Sequence, residues 1–282
     1  MSSKRGGRGG GNRGPLPRNV QVSKKISWLL RHGAEKEGLQ LGPGGFIGVQ
    51  DVLSNRNLRS LKVTFDELRA IVQDNEKQRF TMVLKSSIDP NGAVLEDEDP
   101  TDIPTQTPLP SEDPKDYLIR ANQGHSLKVE SEGLLKPITP ETAPKNVVHG
   151  TTHSAWPLIV ASGGLKPMGR NHAHFASGLP AGFKSLVEED SAATDAAPVI
   201  SGMRKSSTVL MFLDIAKAME AGVNFWLSDN GVILSEGNEN GVIPLEVFRR
   251  VEDRTGEGVL LEDGMIVKEA PEKWSAKRND NS

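Results

Sequence analysis

Cysteine is absent from the 282 residues, so neither a disulfide framework nor a thiolate metal site is available. A chain without cysteine suits a reducing compartment. No stretch approaches the roughly 18 consecutive apolar residues that a membrane-spanning helix needs. The positive charges near the N-terminus are not followed by the apolar run of a secretory signal. An intracellular protein without membrane contact, cytoplasmic and/or nuclear, is expected. The common phosphate-binding signatures are missing as well. There is no Walker loop, and GGRGGG at residues 6–11 opens no strand–helix unit. A dinucleotide, if bound, is not held in the Rossmann manner.

What is present is unevenly distributed. Hydrophobic residues make up 36% and charged residues 25%, with a net charge of −3. Residues 1–25 carry seven Lys or Arg and no acid, whereas residues 86–116 carry nine Asp or Glu and one Lys. The Gly- and Arg-rich residues 1–14 cannot bury apolar surface, and a disordered tail over 1–18 is expected. Such a tail either tracks a phosphate backbone or only adds solubility.

Val22, Ile26, Leu29 and Leu30 recur at helical spacing, with Ser23 a candidate cap and Gly38 a stop. A short strand is expected around Phe46 to Val49, a further helix capped by Asp51, and another through Phe65, Leu68 and Ile71 behind Thr64. This mix suggests a winged-helix-like module over residues 19–140. Residues 86–115, rich in Pro and acid, read as an insert serving as loop or spacer, or as a competitor for RNA in a basic groove. From Val147 onward the apolar runs Val147–Val148, Thr208–Leu213, Val232–Leu234 and Val242–Pro244 alternate with helices expected at 153–162 and 214–221, the second capped by Asp214. That pattern implies an α+β lobe over 141–253, with residues 254–282 peripheral.

Five segments carry candidate chemistry. Arg31–His32 follow the apolar run ISWLL. A guanidinium fork suits phosphate oxygens, and His exchanges protons near neutral pH, although such a pair also compensates a helix dipole. Tyr117 to Ser126, YLIRANQGHS, packs Arg120, Asn122, Gln123, His125 and Ser126 behind a strand. This density of donors suits an anion or a polynucleotide backbone; a polar hairpin turn is the plainer reading. In His149-Gly150-Thr151, Gly lets a ligand approach the backbone and the flanking side chains suit ribose hydroxyls. Arg170, Asn171, His172 and His174 lie in RNHAHF, where a strand would turn both histidines to one side. His149 and His153 have i, i+4 spacing, but Gly150 and Pro157 interrupt a helix and no Glu lies between them, so no metal site is expected. Ser201-Gly-Met-Arg204 precedes a buried run, placing Arg204 as a structural ion-pair partner or a phosphate clamp.

In this order the segments SWLLRHGA, GFIGVQDVL, YLIRANQGHS, VVHGTT, MGRNHAHFA, SGMRKSS, WLSDNGVILSEG and IPLEVF resemble the tRNA 2′-phosphotransferase family. The resemblance spans about residues 20–85 and 116–252; the acidic insert departs from the compact family pattern. It implies a winged-helix RNA lobe and an NAD-binding lobe of the ADP-ribosyltransferase fold. It places Arg31, His32, Arg120 and Arg204 around the reacting phosphate. It assigns His149, Gly150 and Thr151 to the adenosine side of NAD, and His174 to the nicotinamide ribose. Arg170, Asn171 and Ser201 are further candidates for ribose or pyrophosphate, and Trp226 is assigned to the core.

The reaction so implied consumes NAD. The RNA 2′-phosphate displaces nicotinamide, the ribose O2″ then attacks phosphorus, and 2′-OH RNA leaves with ADP-ribose 1″,2″-cyclic phosphate. Gathering a dianionic phosphate beside a pyrophosphate is opposed by repulsion, which guanidiniums offset. The expected partner is 2′-phosphorylated RNA, a spliced tRNA by resemblance, and the expected state is a monomer. Two other readings compete: an ADP-ribosyltransferase acting on RNA ends or proteins, and a non-catalytic RNA-binding protein.

Overall fold

Val22, Ile26, Leu29 and Leu30 are fully buried along α1 (Arg18–Trp28) and the π-helical turn Leu29–Gly33 that continues it. The computed structural model describes residues 15–95, 111–129, 133–187 and 201–275. The tail at 1–14 and residues 96–110 of the insert lie outside these. Ser23 is not a cap. The helix begins at Arg18, whose guanidinium pairs with Glu67 at 2.7 Å, so the first element starts inside the segment expected to be tail. Gly38 ends the following turn at φ 72°.

Three short helices follow: α2 (Val49–Ser54), α3 (Arg56–Ser60) and α4 (Phe65–Gln73). Asp51 does not cap α2; it sits within the first turn, and Gly48 occupies the cap position. Asn55 caps α3 and Thr64 caps α4, accepting from Asn57 N and Glu67 N. The apolar faces of these helices bury against a three-stranded antiparallel sheet of β1 (Ile47–Gly48), β2 (Phe80–Leu84) and β3 (Tyr117–Ala121), with β3 in the middle. Thr81 pairs with Arg120 and Phe80 with Ala121 in the β2–β3 register.

Residues 86–95 are not spacer. Ile88 bridges Val94, and Asp89 Oδ1 accepts from the amides of Asn91 and Ala93. This hairpin presses Gly92 against Gly44, so closely that a side-chain carbon at Gly44 would stand 2.5 Å from Gly92 O.

The rest of the chain is built from antiparallel sheets. The strands are β4 (Leu135–Pro137), β5 (Val147–Thr151), β6 (Gly164–Leu165), β7 (Ala173–Phe175), β8 (Val209–Leu213), β9 (Asn224–Ser228), β10 (Ile233–Gly237), β11 (Ile243–Pro244), β12 (Phe248–Asp253), β13 (Gly258–Glu262) and β14 (Met265–Ile266). One sheet runs β14-β13-β12-β8-β5, another β4-β9-β10-β7, and β6 pairs β11. Every residue of β8 is buried, as expected for the near-continuous apolar run Val-Leu-Met-Phe-Leu in an inner strand. Phe175, Met211, Phe225, Ile233 and Phe248 share one core. α5 (Trp156–Ala161) and the helix Ile215–Glu220, capped by Asp214, are shorter than the sequence suggests. The architecture is α+β.

Residues 258–262 and Trp274 are not peripheral. β13 extends the large sheet, Leu260 and Leu261 are fully buried, and Trp274 stacks on His153 with ring centroids 4.0 Å apart. The two buried leucines are adjacent and flanked by glycine, valine and acid, so no alternation marks the strand in the sequence. Among the described residues no helix is long and apolar enough to cross a membrane.

Candidate active site

The segment Asn122–Leu127, just past β3, joins the helical half of the chain to the sheet-rich half. Ser126 N and Leu127 N donate to Arg31 O at 3.0 and 3.4 Å, while Ser126 Oγ lies 2.8 Å from His32 Nδ1. Asn171 N donates to His125 O at 2.9 Å, and Asn171 Nδ2 to Leu127 O at 2.7 Å. Gln123 Oε1 lies 2.9 Å from His174 Nε2. One strand end thus brings Arg31 and His32 next to Arg170 and His174, which are far away in sequence.

The resulting cluster is cationic, with Glu236 at its edge 3.2 Å from His172 Nε2. Among the described residues, no carboxylate pairs with Arg31, Arg79, Arg170 or Arg204. Nε and Nη2 of Arg31 are buried with no hydrogen-bond partner. Burial, then the charges of Arg170 and Arg79, lower the Arg31 pKa to about 10. The Arg170 guanidinium is likewise lowered, by burial and by Arg204. A buried donor without a partner costs about 1–3 kcal/mol, more when charged. The fold maintains this cost where a polyanion would remove it. The π-helical turn carrying Arg31 is itself a geometry that recurs at functional sites.

The histidines around it are held neutral. His125 and His174 are pushed down to about 3, by burial first and then by neighbouring cations, chiefly Arg31 for His125 and Arg170 for His174. His32 is lowered by burial and by Arg170 and Arg31. His149 is lowered by burial and by Arg204. His149 Nδ1 lies 2.8 Å from His174 O, and His174 Nδ1 lies 2.9 Å from His172 O. In a neutral ring the nitrogen facing a carbonyl carries the hydrogen, so His149 Nε2 presents a lone pair, whereas both ring nitrogens of His174 face carbonyl oxygens. Arg170 Nη1 approaches His174 Nε2 at 3.4 Å. Among the described residues no group of three or more His, Asp or Glu is placed to hold a metal ion, and His153 is engaged by Asp253 at 2.7 Å.

Arg120 is the most enclosed of the expected site arginines. It is only 2% exposed. Its Nη2 pairs with Asp229 Oδ2 at 2.7 Å, and Nη1 donates to the carbonyls of Gly44, Gly92 and Gly133. Phe46 covers the guanidinium, 4.5 Å from ring centroid to Cζ. These contacts tie β3 to the β9–β10 turn, while Arg120 Nε, like the Arg31 nitrogens, is buried without a hydrogen-bond partner. Gly150 is crowded on its side-chain side. The close approach it permits is by the protein itself, since a side-chain carbon there would stand 2.5 Å from Met203 Cγ and 2.6 Å from Ser207 Oγ. Thr151 is buried and its carbonyl accepts from Thr208 N. Asn171 fastens two loops. Ser201 and exposed Arg204 lie on the loop leading into β8. Trp226 packs on a minor core cluster.

Sequence reasoning passed over Arg79. It lies immediately before β2, partly buried, within the field of Arg31. The signal that draws attention to Arg204, an arginine entering a buried apolar run, applies equally to Arg79 before Phe80-Thr-Met-Val-Leu. Two depressions lie apart from the cluster: about 440 Å³ around Glu37 and Arg56, and about 530 Å³ between α5 and Ile266–Ala270. Neither gathers unpaired cations, so charge rather than cavity size locates the site.

A family model described as "RNA 2′-phosphotransferase, Tpt1 / KptA family" matches residues 17–237. The chain is 36% identical over 250 residues to tRNA 2′-phosphotransferase 1 of Danio rerio, covering 88% of this chain and 92% of that protein. It is 34% identical over 238 residues to the tRNA 2′-phosphotransferase of Saccharomyces cerevisiae, covering 83% and 84%. A probable RNA 2′-phosphotransferase of Nostoc punctiforme is 30% identical over 217 residues, covering 77% and 91%.

Proposed function

Because the chain belongs to the RNA 2′-phosphotransferase family, and is therefore a transferase, we propose that it moves the internal 2′-phosphate of a spliced tRNA onto NAD. Orphaned Arg31 carries this reading. Its Nε and Nη2 are buried without partners, a state that a phosphate oxygen pair would relieve through charge-assisted bonds.

Arg31 and Arg79 receive the 2′-phosphate from the helical half, and Arg204 from the sheet-rich half. Arg170 faces the pyrophosphate of NAD. The donor set suits that cofactor: unpaired guanidiniums for phosphates, and the neutral His149 and His174 rings for ribose hydroxyls. NAD supplies a ribose carbon bearing a neutral leaving group, so no strong acid is needed there. His32, oriented by Ser126, holds the phosphate or moves a proton near the attacking hydroxyl. In the second transfer, charge collects on phosphoryl oxygens, where fixed arginines contribute most. Asn171 positions the loop that carries Arg170, and Gly150 and Thr151 seat the loop that carries Ser201 and Arg204.

The helical half, with its antiparallel sheet, is the winged-helix-like RNA lobe in this reading. The two packed antiparallel sheets are the ADP-ribosyltransferase-like NAD lobe. The enzyme is proposed to act as a monomer inside the cell, where cysteine-free chains lose nothing to reduction.

The test is a mass measurement after mixing the protein, NAD and a short oligonucleotide with an internal 2′-phosphate. The expected products are 2′-OH oligonucleotide, nicotinamide and ADP-ribose 1″,2″-cyclic phosphate. An ADP-ribosylated oligonucleotide that accumulates without the cyclic phosphate would replace this reading with simple ADP-ribosyl transfer. Binding without nicotinamide release would leave only RNA recognition.

A further inference from the structure

We propose that Asn122 and Asn230 are positioning residues that hold the Lys77–Arg79 turn in a strained shape, so that Arg79 faces the phosphate only when the two halves of the chain are docked. The proposal rests on the phosphotransferase reading for the meaning of Arg79, and on hydrogen-bond geometry for the clamp.

Gln78, between the two basic residues, has φ 42°, a left-handed conformation that glycine favours and glutamine resists. Its neighbours impose it. Three successive carbonyls of the turn are each gripped from outside. Asn230 Nδ2 donates to Lys77 O at 2.9 Å, Asn122 Nδ2 to Gln78 O at 2.9 Å, and Asn122 N to Arg79 O at 3.0 Å. From within the turn, Asn75 Oδ1 accepts from Lys77 N and from Arg79 Nη1 at 3.2 and 2.9 Å.

The two outer asparagines use the same device. In each, a hydroxyl occupies the amide oxygen, which forces the NH2 toward the carbonyl. Thr81 Oγ1 donates to Asn122 Oδ1 at 2.7 Å, and Ser228 Oγ to Asn230 Oδ1 at 2.9 Å. Both asparagines are 3% exposed, so these bonds form out of competition with water. Asn122 lies beyond β3 in the helical half. Asn230 belongs to the β9–β10 turn in the other half, next to Asp229, which grips Arg120. The turn that carries Arg79 is therefore shaped by both halves at once. A backbone held off its preferred conformation by surrounding bonds is a common means of pre-setting a functional group. The WLSDNG motif, which contacts no proposed reactant, acquires a role.

The experiment uses the full chain with Asn230→Ala and, separately, Asn122→Ala. Hydrogen exchange of residues 75–81 reads the clamp, and turnover of the 2′-phosphorylated oligonucleotide with NAD reads its consequence. In both variants exchange in 75–81 accelerates. Turnover falls on the order of 10–100-fold, as expected for a reactive group displaced by about 1 Å, with kcat falling more than KM rises. Adding Gln78→Gly to Asn230→Ala recovers part of the lost turnover, because glycine takes the left-handed shape without strain; urea unfolding of both variants is read alongside, and turnover that only tracks stability overturns the positioning role. Unchanged exchange in 75–81, full turnover despite faster exchange, or no recovery with Gln78→Gly each overturns the proposal. A wild type that exchanges as expected yet turns nothing over removes the phosphotransferase reading and leaves the clamp standing.

Discussion

Arg120 Nη2 stands 2.7 Å from Asp229 Oδ2, with the arginine side chain 2% and the aspartate 33% exposed. The pair fastens the middle strand of the helical half to a turn of the sheet-rich half. Removing one partner of a buried pair costs about 3–5 kcal/mol, since the other is left uncompensated. Arg120→Met is expected to lower the unfolding free energy by that amount. Asp229→Asn leaves the buried Arg120 charge without its counter-ion and is expected to cost a similar amount, reduced only by the hydrogen bond that the asparagine oxygen can still accept. Urea unfolding checks both; a change under about 1 kcal/mol for Arg120→Met would mean that the carbonyl cage is not structural.

Arg31 presents the opposite case. Its buried nitrogens have no partner, and burial holds its pKa down to about 10. Replacing it should relieve a cost rather than create one. Arg31→Met is expected to leave stability unchanged or raise it by about 1–2 kcal/mol, while phosphotransfer drops on the order of 1,000-fold or more. Thermal unfolding and turnover on one preparation test the trade. A variant that loses stability along with activity would make Arg31 an ordinary structural residue.

Acid should unfold the protein through its histidines. His125 and His174 sit at about 3, against an ordinary 6.5. Between these values the unfolded chain binds protons that the native state refuses. Stability is therefore full above about pH 6.5 and falls as the pH drops toward about 3, by up to about 1.4 kcal/mol per pH unit for each histidine. His125→Gln and His174→Gln should each flatten that slope. Unfolding free energies at pH 7, 5 and 4 decide it, and equal slopes in wild type and variants would place the depressed histidines elsewhere.

The sequence shows most of what local pattern can encode. The spacing of Val22, Ile26, Leu29 and Leu30 marks α1, Thr64 and Asp214 are caps in fact, and the run Val209–Leu213 is an inner strand. Arg31, His32 and Arg204 are visible as basic residues bordering apolar runs. What stays hidden is partnership at long range. Nothing near Arg120 reveals that Asp229 and three glycine carbonyls surround it. Long-range partnership also hides Arg79, whose importance lies in the proximity of Arg31 and not in its own neighbours. Residues 258–262 read as tail because no alternation surrounds their buried leucines, and only pairing with β12 shows them to be sheet.

Gly150 offers a sharp test of how the Arg204 loop is seated. Any side chain at this position would collide with Met203 Cγ and Ser207 Oγ, at 2.5 and 2.6 Å. Both contacts belong to the loop that presents Arg204. Ser207 is further fixed by Arg254, whose Nη1 donates to Ser207 O at 2.8 Å, so the loop cannot yield there freely. Gly150→Ala is therefore expected to push the Met203 side outward, costing about 1–3 kcal/mol of stability and about 100-fold in turnover as Arg204 shifts. Shortening Met203 removes the nearer obstacle, so Gly150→Ala combined with Met203→Ala should regain part of the turnover even though Met203→Ala alone destabilises the core. Activity equal to wild type in Gly150→Ala would show that Arg204 is seated independently of this contact. Loss without recovery in the double variant would point to Ser207 and its Arg254 bond as the contact that matters.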